Sequence, residues 1–249
     1  MSQVMFYAKP EAVNKEKHRT LRLDTSVANL NFAKQTNSVM LAGLEFQHAA
    51  KEYPIVFVQS ANDQVFAAAL LGVRTDENLF VNQDGRWDAR YIPAFVRRYP
   101  FILAESGGEA GQMTVCMDVA HPGFNTEKGE PLFQENGEPT AILNNTVRFL
   151  QDCQEGYLRT TVFINRLREL DLFVTQAVKV EMTDGRSFTI QGLMTVDETK
   201  LLALDEKKAM ELFRLGEMGW IYSHLISLSN VNRLAGLLAA REASVVTNG

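Results

Sequence analysis

The sequence is poor in the residues and patterns that would name a chemistry. Of its 249 residues only two are cysteines, Cys116 and Cys153, which lie in apolar surroundings without metal-ligand spacing. They are expected to be buried, reduced thiols rather than a disulfide framework. The four histidines, His18, His48, His121 and His224, are scattered and form no HExxH or close His–carboxylate pattern, so no metal site is predicted. The chain also lacks a Gly-x-Ser-x-Gly elbow, a Gly-Lys-Ser/Thr phosphate loop and a full dinucleotide fingerprint, and no cofactor is expected. Basic residues are outnumbered, 25 Lys and Arg against 30 Asp and Glu, and a net charge of −5 argues against nucleic acid as a partner. Met1 to Arg22 contain no apolar run of the roughly 7–15 residues found in a secretory leader. No stretch reaches the roughly 20 apolar residues of a membrane span. The expectation is a cytoplasmic protein without membrane insertion.

What is present is an ordinary globular composition, 46% hydrophobic and 22% charged. No polar linker divides it. The reading is an irregular N-terminal arm over residues 1–38, where polarity is mixed and aperiodic, one domain over 39–241, and a flexible tail over 242–249. Leu41 to Ala49 fit a short helix that ends before Pro54. Ile55–Val58 and Val65–Val73 are β-rich runs around the turn-like Ser60-Ala61-Asn62-Asp63, which predicts an antiparallel hairpin. Asn78–Asn82 is expected to add a short strand. Phe101–Glu105 and Met113–Val119 read as strands joined by a glycine-rich turn. That turn is no nucleotide loop, because Thr114–Val119 is β-branched and not helical. His121–Pro139 is a long Gly/Pro-rich connection. From Thr140 an apolar stripe of Leu143, Val147, Leu150, Cys153, Tyr157, Ile164 and Leu167 predicts a long central helix to about Leu170, with Gly156 as a place for a bend. Thr183-Asp184-Gly185 marks a hairpin between Phe173–Met182 and Arg186–Val196. Short helices close the chain, the first capped by Asp205. This order predicts an α+β fold, a single domain with a largely antiparallel sheet, a long central helix and a C-terminal helical segment.

One stretch is far denser in chemistry than any other: Asp84 to Phe101 hold four arginines and five aromatics in eighteen residues. Guanidinium forks beside aromatic faces suit bidentate recognition and stacking of a planar anion. Pro93 argues against one continuous helix; a loop through Ile92 followed by a short helix from Pro93 to Tyr99 fits better. Arg86, Trp87, Arg90, Tyr91, Arg97 and Arg98 are therefore the candidate ligand-binding residues. His121, in a loop after a strand, is the one histidine added to them. A structural reading stands beside this one. In it Trp87, Tyr91, Phe95 and Phe101 anchor the loop, and the arginines pair with acids such as Asp88 or Glu105.

Asn78-Leu79-Phe80, Gly85-Arg86-Trp87-Asp88-Ala89-Arg90-Tyr91-Ile92-Pro93 and Arg97-Arg98-Tyr99-Pro100-Phe101 resemble the signature of the bacterial SapC family. Tyr53-Pro54-Ile55-Val56-Phe57, Pro131-Leu132-Phe133, Gly137-Glu138-Pro139-Thr140 and Ile221-Tyr222-Ser223-His224-Leu225-Ile226-Ser227-Leu228 agree in order, so the likeness spans roughly residues 40–240. The resemblance implies an association with bacterial surface layers and brings no established catalytic residues. The expected function is a cytoplasmic accessory protein that binds a protein or peptide client, or a ligand, in a surface-layer or export-related system. The alternative is an enzyme or substrate-binding component of a small-molecule or peptide modification system, with an anion-binding arginine site. The first predicts an exposed apolar patch, the second a concave site around the arginines.

Overall fold

The computed structural model describes residues 4–27, 29–105, 113–182 and 185–247, the last few by backbone only. In chain order the elements are β1 (Pro10–Ala12), β2 (Arg22–Leu23), β3 (Ser38–Met40), α1 (Phe46–Ala49), β4 (Ile55–Gln59), β5 (Val65–Leu70), α2 (Ala94–Arg97), β6 (Phe101–Glu105) and β7 (Met113–Asp118). There follow β8 (Phe124–Asn125), β9 (Glu130–Pro131), α3 (Ala141–Glu169), β10 (Phe173–Glu181), β11 (Ser187–Val196), α4 (Glu198–Leu202), α5 (Glu206–Arg214), α6 (Glu217–Ser227) and α7 (Val231–Thr247). The fold is α+β, with antiparallel sheets, one long helix and a helical C-terminal segment. Contacts divide it into two compact units, 1–32 with 95–155 and 33–94 with 156–249.

In the first unit β6 and β7 form the antiparallel hairpin expected from their apolar runs, and the turn between them lies outside the described residues. The segment read as an irregular arm supplies β1, which pairs with β7, and β2, which pairs with β8 and β9 of the long connection. Leu23, Phe101, Met117, Leu132, Leu143 and Leu150 make its core. The carboxylate of Asp118, at the end of β7, ties the N-terminal segment down by accepting from the backbone N–H groups of Ala8 and Lys9, both at 2.9 Å. Burial alone would raise its pKa, but these donors, Ala120 N–H and the Tyr99 hydroxyl outweigh burial and hold it below the usual carboxylate range.

The second unit is built on a five-stranded antiparallel sheet in the order β10-β11-β4-β5-β3. Ile55, Val56 and Phe57 are fully buried, as suits β-branched and aromatic residues in a central strand. The turn residues Thr183 and Asp184 lie outside the described residues, but Met182 N–H to Arg186 O at 2.8 Å brackets the β10–β11 hairpin. Helix α6 is tied to β4 by two side chains. The His224 imidazole accepts from Val196 N–H through Nε2 at 3.0 Å and faces Ile55 O through Nδ1 at 2.8 Å, so the proton sits on Nδ1. The Ser227 hydroxyl accepts from Ile55 N–H at 2.8 Å and donates to His224 O. The Tyr53-Pro54-Ile55 and His224-to-Ser227 motifs thus meet at one backbone residue.

Two expectations are corrected. Asn78–Asn82 is no strand but a turn segment with a single bridge, Val81 to Trp87. Its backbone is held from within, because buried Asn78 donates to Ala33 O and accepts from Phe80 N–H. The cysteines are free but only half-buried. The long helix runs unbroken through Gly156, as the sequence predicts, and the glycine there meets Ala42, where an added Cβ would lie 3.2 Å from that side chain.

Candidate functional site

The site is organised by a buried acid that the sequence does not single out. Glu45, in the 3-10 turn just before α1, accepts from Ala42 N–H at 2.9 Å, from the Tyr91 hydroxyl at 2.7 Å and from Ala94 N–H at 2.7 Å. Three donors on one carboxylate satisfy it away from water and clamp the loop 87–94 onto the start of α1. Pro93 has no N–H to lose and stands immediately before α2; a loop followed by a short helix is found as expected, but the helix covers only Ala94–Arg97 rather than Pro93 to Tyr99.

A second clamp is made by Tyr53, beyond the end of α1. The Tyr53 hydroxyl accepts from Trp87 Nε1 at 2.7 Å and donates to the Tyr91 carbonyl. Burial pushes that phenol well above its ordinary range, against the opposing donation from Trp87, so it stays a neutral donor. The indole of Trp87 also lies nearly parallel to Phe80, with centroids 6.3 Å apart. Tyr91 stacks on His48 at 5.5 Å. Trp87 and Tyr91 are half-buried: each anchors the loop, and each also lines the cleft in front of it.

These residues bound a cleft of about 760 Å3 lined by His48, Lys51, Glu52, Trp87, Asp88, Arg90, Tyr91 and Arg233. Its charges are of two kinds. Arg233, from α7, is already engaged, paired with buried Glu52 and lying 5.4 Å over the Phe80 ring. Lys51, Asp88 and Arg90 have no ion pair or side-chain hydrogen bond among the described residues. Arg90 is exposed at the rim. A guanidinium and an ammonium beside two aromatic faces, with a neutralised Arg–Glu pair as the wall, can bind an anion and cover the flat group that carries it.

The other candidates go elsewhere. Arg86 is exposed, 3.9 Å from Asp84, and does not line this cleft. Arg97 and Arg98 belong to the first unit. There Arg97 lies over Phe149 at 5.1 Å and Arg98 over Phe95 at 3.9 Å, with Arg98 also hydrogen-bonded to the Tyr7 hydroxyl. His121 is buried in the same unit between Tyr99 and Phe124, and its Nδ1 accepts from Gly123 N–H at 3.0 Å. Burial lowers its pKa and keeps it neutral, the state of a structural loop histidine.

The sequence reading missed His48, Lys51, Glu52 and Arg233 of the cleft, and Glu45 beneath it. Glu52 precedes the motif Tyr53-Pro54-Ile55 and was within reach of pattern reasoning. Arg233 was not, since it arrives from 140 residues further along the chain than Pro93. Among the described residues no three His, Cys, Asp or Glu side chains are grouped as metal ligands, and no helix is long and apolar enough to cross a membrane.

Neither the curated proteins nor the solved structures include a match to this chain. A family model described as SapC matches residues 13–234, covering most of both compact units. That span includes the Arg90 cleft, the Glu45 clamp and the His224 tie, and the chain belongs to the SapC family.

Proposed function

We propose that this SapC-family protein is an accessory binding protein of a surface-layer or export-related system in the cytoplasm, and that its second unit holds a carboxylate- or phosphate-bearing group of a ligand or client at Arg90. The observation that carries the reading is Arg90 itself. It is exposed, has no ion pair among the described residues, and lines with Lys51, Trp87 and Tyr91 a cleft whose other lining guanidinium is already neutralised by Glu52. The loop that presents Arg90 is fixed by Glu45 and Tyr53, so little ordering cost falls on binding. The site therefore consists of Trp87, Arg90 and Tyr91, extended by His48 and Lys51.

The same cleft would serve a substrate-binding component of a modification system. What favours the accessory reading is the set of large apolar side chains left in solvent on the second unit: Leu202 is 72% exposed, Phe213 68% and Ile226 67%. The test is calorimetric titration with phenylphosphate and with inorganic phosphate. Wild type is expected to bind phenylphosphate more tightly, because only that probe uses the aromatic faces. Arg90→Lys keeps the charge but loses the fork and is expected to weaken binding about tenfold, about 1.4 kcal/mol, with an unchanged melting temperature. Equal affinity of Arg90→Lys and wild type would refute the site.

A further inference from the structure

Between α3 and α5 the second unit carries a groove of about 470 Å3 lined by Arg166, Lys207, Met210, Glu211, Arg214 and Leu215. At about 100° per residue, Lys207, Met210 and Arg214 fall within roughly 60° of one another on α5, with Leu212 turned away. Leu212 is accordingly buried, while Met210 and Leu215 are 41% and 48% exposed. Leu158 and Val162 lie on α3 at the i, i+4, i+8 spacing that ends in Arg166, and they are 59% and 56% exposed. An apolar strip with cations along it is thus left uncovered.

The charges say what fits. Arg166 is satisfied internally, 3.5 Å from Glu211 and paired also with Glu217. Lys207 and Arg214 have no ion pair among the described residues. On a chain of net charge −5, two unpaired cations flanking a methionine and a leucine call for acidic groups that arrive with apolar ones. A flat anionic membrane surface suits the site less well, since the groove is recessed between α3 and α5 and a planar surface does not reach into it. We infer that this groove docks an amphipathic helical segment of a partner protein, with its apolar side on Met210 and Leu215 and its acidic residues at Lys207 and Arg214. The inference takes the kind of partner from the accessory reading and does not use the Arg90 cleft.

The test is fluorescence anisotropy on the full chain with two labelled synthetic helical peptides. Both have Leu and Ile at the i, i+3, i+4, i+7 positions, one with Glu and the other with Lys on the polar side. The Glu peptide is expected to bind and the Lys peptide to bind at least about tenfold more weakly, an order reversed in Lys207→Glu/Arg214→Glu. Met210→Asp, at a position 41% exposed, is expected to abolish binding of the Glu peptide while leaving the melting temperature unchanged. Arg90→Lys is expected to leave peptide binding unchanged and to weaken only phenylphosphate binding, which separates failure of the groove from failure of the cleft. Equal binding of both peptides, binding of neither, or insensitivity to Lys207→Glu/Arg214→Glu would overturn the assignment. So would binding to phosphatidylglycerol vesicles that outcompetes the Glu peptide, or a concentration-dependent dimer in sedimentation that Met210→Asp dissolves.

Discussion

Glu45 and His224 show how two buried polar side chains set the geometry of the second unit. Removing Glu45 strips Ala42 N–H, Ala94 N–H and the Tyr91 hydroxyl of one shared acceptor. Hydrogen bonds to a charged group are worth roughly 1.5–3 kcal/mol each, and the stranded donors regain only part of that from water, so Glu45→Ala is expected to lower stability by about 3 kcal/mol. Urea unfolding measures it, and phenylphosphate binding should weaken in parallel because the loop carrying Arg90 is released. His224 acts through pH. Burial pushes its pKa down from 6.5 to about 4, against the smaller opposing effect of its bond to Ile55. The unfolded chain therefore takes up a proton on this ring below pH 6.5 while the folded chain does not until about pH 4. Its contribution is intact above pH 6.5 and is lost as pH falls towards 4, a loss of roughly 3 kcal/mol in all. Unfolding free energies of wild type and His224→Gln at pH 7.5 and pH 5 check this, with a flatter slope expected for the variant.

At the scale of elements, Gly43 and Gly192 carry specific demands. Gly43 packs against Trp220 of α6, and an added Cβ would land on the indole ring. Because Trp220 is itself packed against Phe46 and Phe163, Gly43→Ala is expected to cost about 1–3 kcal/mol by overpacking, read as a lower melting temperature. Gly192 sits at φ +73 where the β10–β11 register shifts, so one extra residue bulges from β11. An alanine there is expected to cost about 1–2 kcal/mol from backbone strain alone, since nothing stands within 4 Å of its Cβ. The elements themselves were largely legible in the sequence. The apolar stripe from Leu143 to Leu167, the Asp205 cap and the β-rich runs at Ile55 and Val65 each carry a local signal that the fold obeys. Asn78–Asn82 failed because a buried asparagine replaced ladder hydrogen bonds with its own. The candidate site was half legible. Trp87, Arg90 and Tyr91 stand in one motif, but Glu45, Lys51 and Arg233 join them only through tertiary contacts that no spacing encodes.

In the whole molecule, the proposed anion cleft and the proposed docking groove lie at separate positions of one unit in an acidic chain. Both rest on exposed cations, so both affinities are expected to fall as salt shortens the Debye length from about 10 Å at 0.1 M to about 3 Å at 1 M, while His224-dependent stability changes far less. The apolar parts of the two interactions set the affinity that survives. The most direct measurement of the central claim is a crystal structure of the wild-type protein soaked with phenylphosphate. The phosphate is expected between Arg90 and Lys51 with the phenyl ring against Trp87 or Tyr91, and the Arg233–Glu52 pair unbroken. Density for the anion at Arg86, Arg97 or Arg98 with the Arg90 cleft empty would contradict it.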